Sequence, residues 1–447
     1  MSLPPDDVSP HIARRKRVQD YMRSVGGGIA LLPAAREAMR NRDADYPYRQ
    51  DSDFLYLTGF PEPEAWLVLI AGKDDRSILF CRSKNPEQEI WEGSRTGPDE
   101  AVARFGFDEA YPVDRLQELL PALLLDQPAL FARILQDDRI DQTARRAMDT
   151  ARQQARAGQR VPLRQHDLMP FIAEMRLVKE ATEIAAMRRA ARISAGAHAR
   201  AMRLTRPGLR EYEIEAELLY EFRRHGAQSV AYNSIVATGP NACILHYPAG
   251  DAVLESGHLL LVDAGCEIDG YAADITRTFP VNGRYTAPQR LLYDLTVAAQ
   301  DAARDATRPG RTWNDGHNAA LRVLAQGLID AGLLNGSLDG VLESKAYNRF
   351  YMHRTGHWLG LDVHDVGDYR DPGAPAGPDR PWRVLEKGMV LTIEPGLYVR
   401  PADDVPEEFW NIGIRTEDDA LVTDEGCELI TRGVPVDAME IEALMRE

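Results

Sequence analysis

The sequence predicts an α/β (α+β) protein with an N-terminal α/β domain over residues 1–175 and a C-terminal domain over residues 176–447. Three observations lead there. The 447 residues exceed the ~150 of one typical domain and allow two or three, with ample core. Short apolar runs of strand character alternate with helical segments. A frame of Glu-x-Gly, an apolar run, an acid, a spacer and Gly occurs twice, so the C-terminal domain reads as two pseudo-symmetric halves.

In the first domain the runs at 28–32, 66–71 and 77–81 read as strands, and the Ala-, Arg- and Gln-rich segment 139–156 as an exposed helix. The tetrad Arg14 to Arg17 reads as a solvated helix face, and the polar, Pro-punctuated stretch 157–167 as a linker or a domain edge. In the second domain a long helix opens near Thr182, a plausible N-cap, and breaks at Pro207-Gly208. Helices follow at 211–224, 288–306 and 313–331, with strands and turns at 229–281 and onward to Ile430.

Composition narrows the function. Lys and Arg number 53 against 69 Asp and Glu, a net charge of −16, which disfavours nucleic-acid binding. No apolar run approaches the ~18 residues of a membrane span, and the N-terminus lacks a signal-peptide pattern, so the expected location is the cytoplasm. The cysteines Cys81, Cys243, Cys266 and Cys427 are scattered, which speaks against a disulfide framework or a thiolate metal site.

The repeat carries the chemistry. ESGHLLLVDAG begins at Glu255 and EKGMVLTIEPG at Glu386, and the offset of 131 residues places Asp263 and Glu394 at equivalent strand ends. A carboxylate inside an apolar strand is costly unless something compensates its charge. The segment 258–279 reads as a hairpin around Asp269-Gly270. A loop of Ile268-Asp269 sets Asp263 opposite Asp274, while a loop of Asp269-Gly270 makes them diagonal neighbours; both put them on one face. Glu394 and Glu417 form the matching pair, with Arg415 on the side of Glu417. Between them, His353, His357 and His364 add imidazoles. The spacing of His353 and His357 resembles a helical ligand pair, but Gly356 between them disfavours it. Four acids with one or two imidazoles make a hard, oxygen-rich ligand set suited to Mn²⁺ or Co²⁺. His225 and His317 have bland surroundings and no expected role.

These segments resemble the pita-bread-fold (creatinase/aminopeptidase) metallopeptidases, in particular the bacterial aminopeptidase P (Xaa-Pro aminopeptidase) branch. The matching stretches are ILHY at 244–247, VDAG with Asp263, ADITRTFP with Asp274, GHWLGLDVHDVG with His357 and His364, TIEPGLY with Glu394 and GIRTEDD with Glu417. YPYRQDSDFLYLTGFPEPEA at 46–65 and EIWEGSR at 89–95 extend the likeness into the first domain. The resemblance implies two divalent ions per subunit, Mn²⁺ first and Co²⁺ or Zn²⁺ as alternatives. Asp263, Asp274 and Glu417 hold one ion; Asp274, His357, Glu394 and Glu417 hold the other. It implies hydrolysis of Xaa-Pro amides by a metal-bridging hydroxide. Glu394 serves as proton shuttle, His364 and His246 stabilise the intermediate, and His353, Arg415 and Tyr398 shape the substrate site. It further implies a homo-oligomer, dimer or tetramer, built on the first domain, with Trp91 in a loop reaching a neighbouring site. Prolidase, restricted to Xaa-Pro dipeptides, is the alternative. Gly356 departs from the small polar residue frequent in relatives.

Overall fold

The computed structural model describes residues 7–156 and 158–447, which fall into two compact units, Met1–Met175 and Arg176–Glu447. In the first unit the apolar runs pair as their composition demands. Strand Gly28–Pro33, buried along its whole length, lies antiparallel to Trp66–Ala71 and parallel to Ala129–Ala132. Arg76–Cys81 and Glu109–Pro112 extend one side, and Arg164–Asp167 closes the other, giving six strands. Ile29, Leu31, Val68, Ile70 and Phe80 pack against Leu116, Leu120, Ala147 and Met148 of the flanking helices. Part of the expected linker is therefore strand. Arg164–Asp167 hydrogen-bonds along an edge, where the ladder needs backbone rather than apolar side chains.

The basic tetrad also departs from expectation. On helix Ser9–Ser24, Arg14 and Arg15 are buried. Arg15 donates to the carbonyls of Leu57 and Phe105, at 3.0 and 2.9 Å, near the C-terminal ends of helices Ser52–Thr58 and Gly97–Phe105. Helix ends leave such carbonyls without intrahelical donors, so a guanidinium satisfies them at a buried site.

The second unit is two hairpin systems backed by helices Ala181–Leu204, Glu211–Arg224, Ala287–Ala306 and Trp313–Asp330. The first of these helices starts one residue before Thr182; Glu180 is its N-cap, in a reciprocal capping box with Glu183. Strand Leu259–Asp263 pairs with Thr276–Pro280, Leu259 opposite Pro280 and Asp263 opposite Thr276. The same register runs to Ile268 opposite Tyr271, so the loop is Asp269-Gly270, and Asp263 and Asp274 are diagonal neighbours. Both loop residues have positive φ, 53° and 85°, as a type I′ turn requires. The second half repeats the plan. Val390 pairs with Leu421 and Gly396 with Arg415, a register that sets Glu394 across from Glu417. The halves join where the Glu417 amide donates to the Thr276 carbonyl at 3.0 Å. Leu260, Val262, Phe279, Leu391 and Ile393 seal the strands against Leu292, Leu324 and Leu328 of the helices. Among the described residues no helix is long and apolar enough to cross a membrane.

Candidate metal centre

Strand alternation and the two turns deliver four acids to one spot. Asp263 ends its strand, Asp274 precedes the returning strand, Glu394 follows Val390–Ile393, and Glu417 lies between Ile412–Arg415 and Asp418–Val422. His357 enters from an irregular segment, its amide held by Thr392 Oγ1 at 3.1 Å. Its Nε2 lies 3.6 Å from Asp274 Oδ2 and 3.7 Å from Glu394 Oε1. Asp274, His357 and Glu417 offer ligand atoms within 4.8 Å of one another, a group able to hold a metal ion. No helix forms around His353. Its Nδ1 is 3.8 Å from Glu394 Oε2, and its Nε2 is 2.9 Å from the Tyr398 hydroxyl.

Arg415 is the cation of this cluster. It bonds Asp263, donates to the Tyr398 hydroxyl at 2.9 Å and to Thr276 Oγ1 at 3.1 Å. Thr276 in turn donates to Glu417 Oε2 at 2.6 Å. Tyr232, to which sequence reading assigned nothing, donates to Asp263 Oδ1 at 2.6 Å and also meets Asp274 Oδ1. Burial and the nearby acids push its phenol well above the ordinary range, so it remains a donor. Asp419, buried behind the centre, accepts the Asp274 amide.

The electrostatics test whether a metal fits. Burial, then Asp263 and Asp419, push the Asp274 carboxyl well above the usual carboxylate range. Burial, then Asp274 and Glu394, do the same to Glu417. Burial pushes Glu394 up to about 8 despite Arg415. Burial, then His364, hold His357 down to about 4, leaving a neutral imidazole with a lone pair to give. Four acids around one neutral nitrogen exceed the single positive charge of Arg415, and a divalent cation would supply the balance. The donor set fits.

His246 and His364 are both exposed. Burial, then Arg415, hold His353 down to about 3; burial, then His246, lower His364; and the rings of His364 and His357 lie 4.1 Å apart. Trp91 belongs to the first unit, 88% exposed, on the short helix Pro86–Glu92 rather than in a loop. The glycine of HRTGH has a local reason: a Cβ on Gly356 would stand 2.0 Å from the Thr392 carbonyl oxygen. Tyr232 had no periodic signal; its only clue was a tyrosine 31 residues before Asp263 in a turn-rich stretch.

Residues 185–424 match the model of metallopeptidase family M24, and residues 11–131 match the N-terminal domain of aminopeptidase P. The chain belongs to metallopeptidase family M24. Within the family it is similar to the Xaa-Pro aminopeptidase of Escherichia coli, 44% identical over 97% of this chain and 96% of that one. Among solved structures, Pseudomonas aeruginosa aminopeptidase PepP superposes with a TM-score of 0.95 at 47% identity, covering 99% of both chains. Zinc-substituted E. coli aminopeptidase P in complex with product does so at 0.93 and 42% identity, covering 98% of each. The relatives thus match both units, including the aminopeptidase P N-terminal domain.

Proposed function

We propose that the second unit is a metalloaminopeptidase centre that removes the first residue from peptides with proline second. The convergence of Asp274, His357 and Glu417 within a family M24 chain carries this reading. The likeness to Xaa-Pro aminopeptidases over nearly the whole chain supports it against the dipeptide-restricted alternative. Asp263, Asp274 and Glu417 would hold one divalent ion, and Asp274, His357, Glu394 and Glu417 would hold the other. The oxygen-rich set suits Mn²⁺, with Co²⁺ or Zn²⁺ able to replace it. Bound there, such ions would supply Lewis-acid polarisation of the scissile carbonyl and a water acidic enough to give a nucleophile at neutral pH.

The chain's own residues do the rest. An Xaa-Pro bond lacks an N–H, so a site that aligns substrate through that proton cannot use it. Glu394 takes a proton from the attacking water and delivers it to the proline nitrogen as it leaves. His364 and His246, at the open rim, donate to the carbonyl oxygen as charge develops. Arg415 and Tyr398 fix the inner wall, and His353 orders it by holding the Tyr398 hydroxyl. The chain works in the cytoplasm as a homo-oligomer built on the first unit, and exposed Trp91 reaches a neighbouring site.

The test is a peptide panel on purified, Mn²⁺-loaded protein with metal content measured alongside. Xaa-Pro-Yaa tripeptides should release Xaa, Xaa-Ala-Yaa should be cleaved poorly, and two ions should bind per chain. Cleavage confined to Xaa-Pro dipeptides would assign a prolidase, and no Xaa-Pro cleavage would refute the reading.

A further inference from the structure

His317 has bland sequence neighbours, yet the fold joins it to the metal centre from behind. It stands near the start of helix Trp313–Asp330, and its Nδ1 lies 2.8 Å from Thr355 Oγ1. The same hydroxyl lies 2.5 Å from the Tyr351 hydroxyl. Thr355 and Tyr351 are both buried. A threonine hydroxyl has one proton and two acceptor positions, so two partners at these distances fix its rotamer.

Thr355 is tied to the centre through its backbone. Its carbonyl accepts the Glu394 amide at 2.8 Å. Two residues on, the His357 carbonyl accepts the Thr392 amide at 2.9 Å, and Thr392 Oγ1 takes the His357 amide in return. Tyr351 packs edge-on against the His353 ring, centroids 5.0 Å apart. One short segment, 351–357, therefore carries His353 and His357 and holds the backbone of Glu394, and His317 braces its midpoint. Burial, then Arg354, hold the His317 ring down to about 4, so it is neutral. The adjoining cavity, about 20 Å³ and lined by His317, Thr355 and Thr392, has room for about one water.

We propose that His317 is a positioning residue: through Thr355 it holds segment 351–357 in register with Glu394 and so sets the spacing of the metal ligands. The proposal rests on the metallopeptidase reading above. The variants His317→Ala, His317→Asn, Thr355→Val and the double His317→Ala/Thr355→Val separate positioning from bulk stability. Each is measured for melting temperature, Mn²⁺ affinity by calorimetry, and kcat and KM on an Xaa-Pro-Yaa tripeptide. His317→Ala and Thr355→Val should each lose about tenfold in Mn²⁺ affinity and in kcat, with KM within about twofold. His317→Asn, whose amide reaches the place of Nδ1, should restore most of the loss. The double variant should be no worse than the poorer single one. Unchanged Mn²⁺ affinity in His317→Ala, no rescue by Asn, or losses that multiply in the double variant would each overturn the proposal. If His317→Ala fails to fold, His317→Asn and Thr355→Val decide: wild-type affinity in the first with a tenfold loss in the second supports it, and wild-type affinity in both overturns it. Should the wild type cleave no Xaa-Pro peptide, the functional reading falls, while Mn²⁺ affinity still judges His317.

Discussion

Asp365→Ala should destabilise the second unit more than any loss of a surface acid. Asp365 Oδ2 accepts from Lys179 Nζ at 3.0 Å, Oδ1 accepts from Arg176, and all three side chains are buried. The Asp365 amide also donates to the Trp358 carbonyl at 2.9 Å, closing the loop that follows His357 and bears His364. Truncation leaves the Lys179 ammonium buried without its carboxylate, a loss of about 3–5 kcal/mol. For a unit of this size that lowers the melting temperature by roughly 6–20 °C. Differential scanning calorimetry of the second-unit transition measures it, and Lys179→Met in the same background should recover part of the loss by removing the stranded charge. The pH dependence has a definite sign. Burial alone would raise the Asp365 carboxyl, but Lys179 and Arg176 outweigh it and hold it below its ordinary 3.8. Its stabilisation is therefore complete above about pH 4 and disappears as pH falls through the lower folded value. Asp365→Asn should lack that acid-sensitive part of the stability curve. A melting temperature within 1 °C of wild type for Asp365→Ala, or strictly additive losses with Lys179→Met, would refute the reasoning.

Three further outcomes follow from the centre. Glu394→Gln should fold normally and lose about 10²–10⁴-fold in kcat that excess Mn²⁺ does not restore; full rescue by metal would mean the residue only holds an ion. Asp274→Asn should bind fewer than two ions by elemental analysis and lose more activity than His364→Ala, because the proposed assignment gives Asp274 to both positions. Chelation should lower the melting temperature, and Mn²⁺ at ~100 times its Kd should return about 2.7 kcal/mol by mass action, read in the same calorimeter.

The acid pairs were legible because local rules decide them. An Asp-Gly turn sets the register of the first hairpin, strand alternation does the rest, and the repeated frame points to Glu394. The burial of Arg14 and Arg15 was not legible, since the carbonyls that receive Arg15 come from helices ending more than 40 residues away. The strand at Arg164–Asp167 hid for a related reason: edge pairing draws on backbone groups that every residue carries. Tyr232 and His317 act through partners 31 to 42 residues distant, and only the folded chain brings those together.

The seam between Thr276 and Glu417 has a consequence for synthesis. Asp263 and Asp274 leave the ribosome 154 and 143 residues ahead of Glu417. At ~5–20 residues per second that interval is roughly 7–30 s, and for most of it the first hairpin holds its carboxylates with neither Arg415 nor Glu394 to meet them. A nascent chain cannot complete the ligand set early, however abundant the metal. On the proposed ligand assignment, loading would therefore be a late event that reports the docking of the second half onto the first, and a truncated product lacking the last few dozen residues would stay empty.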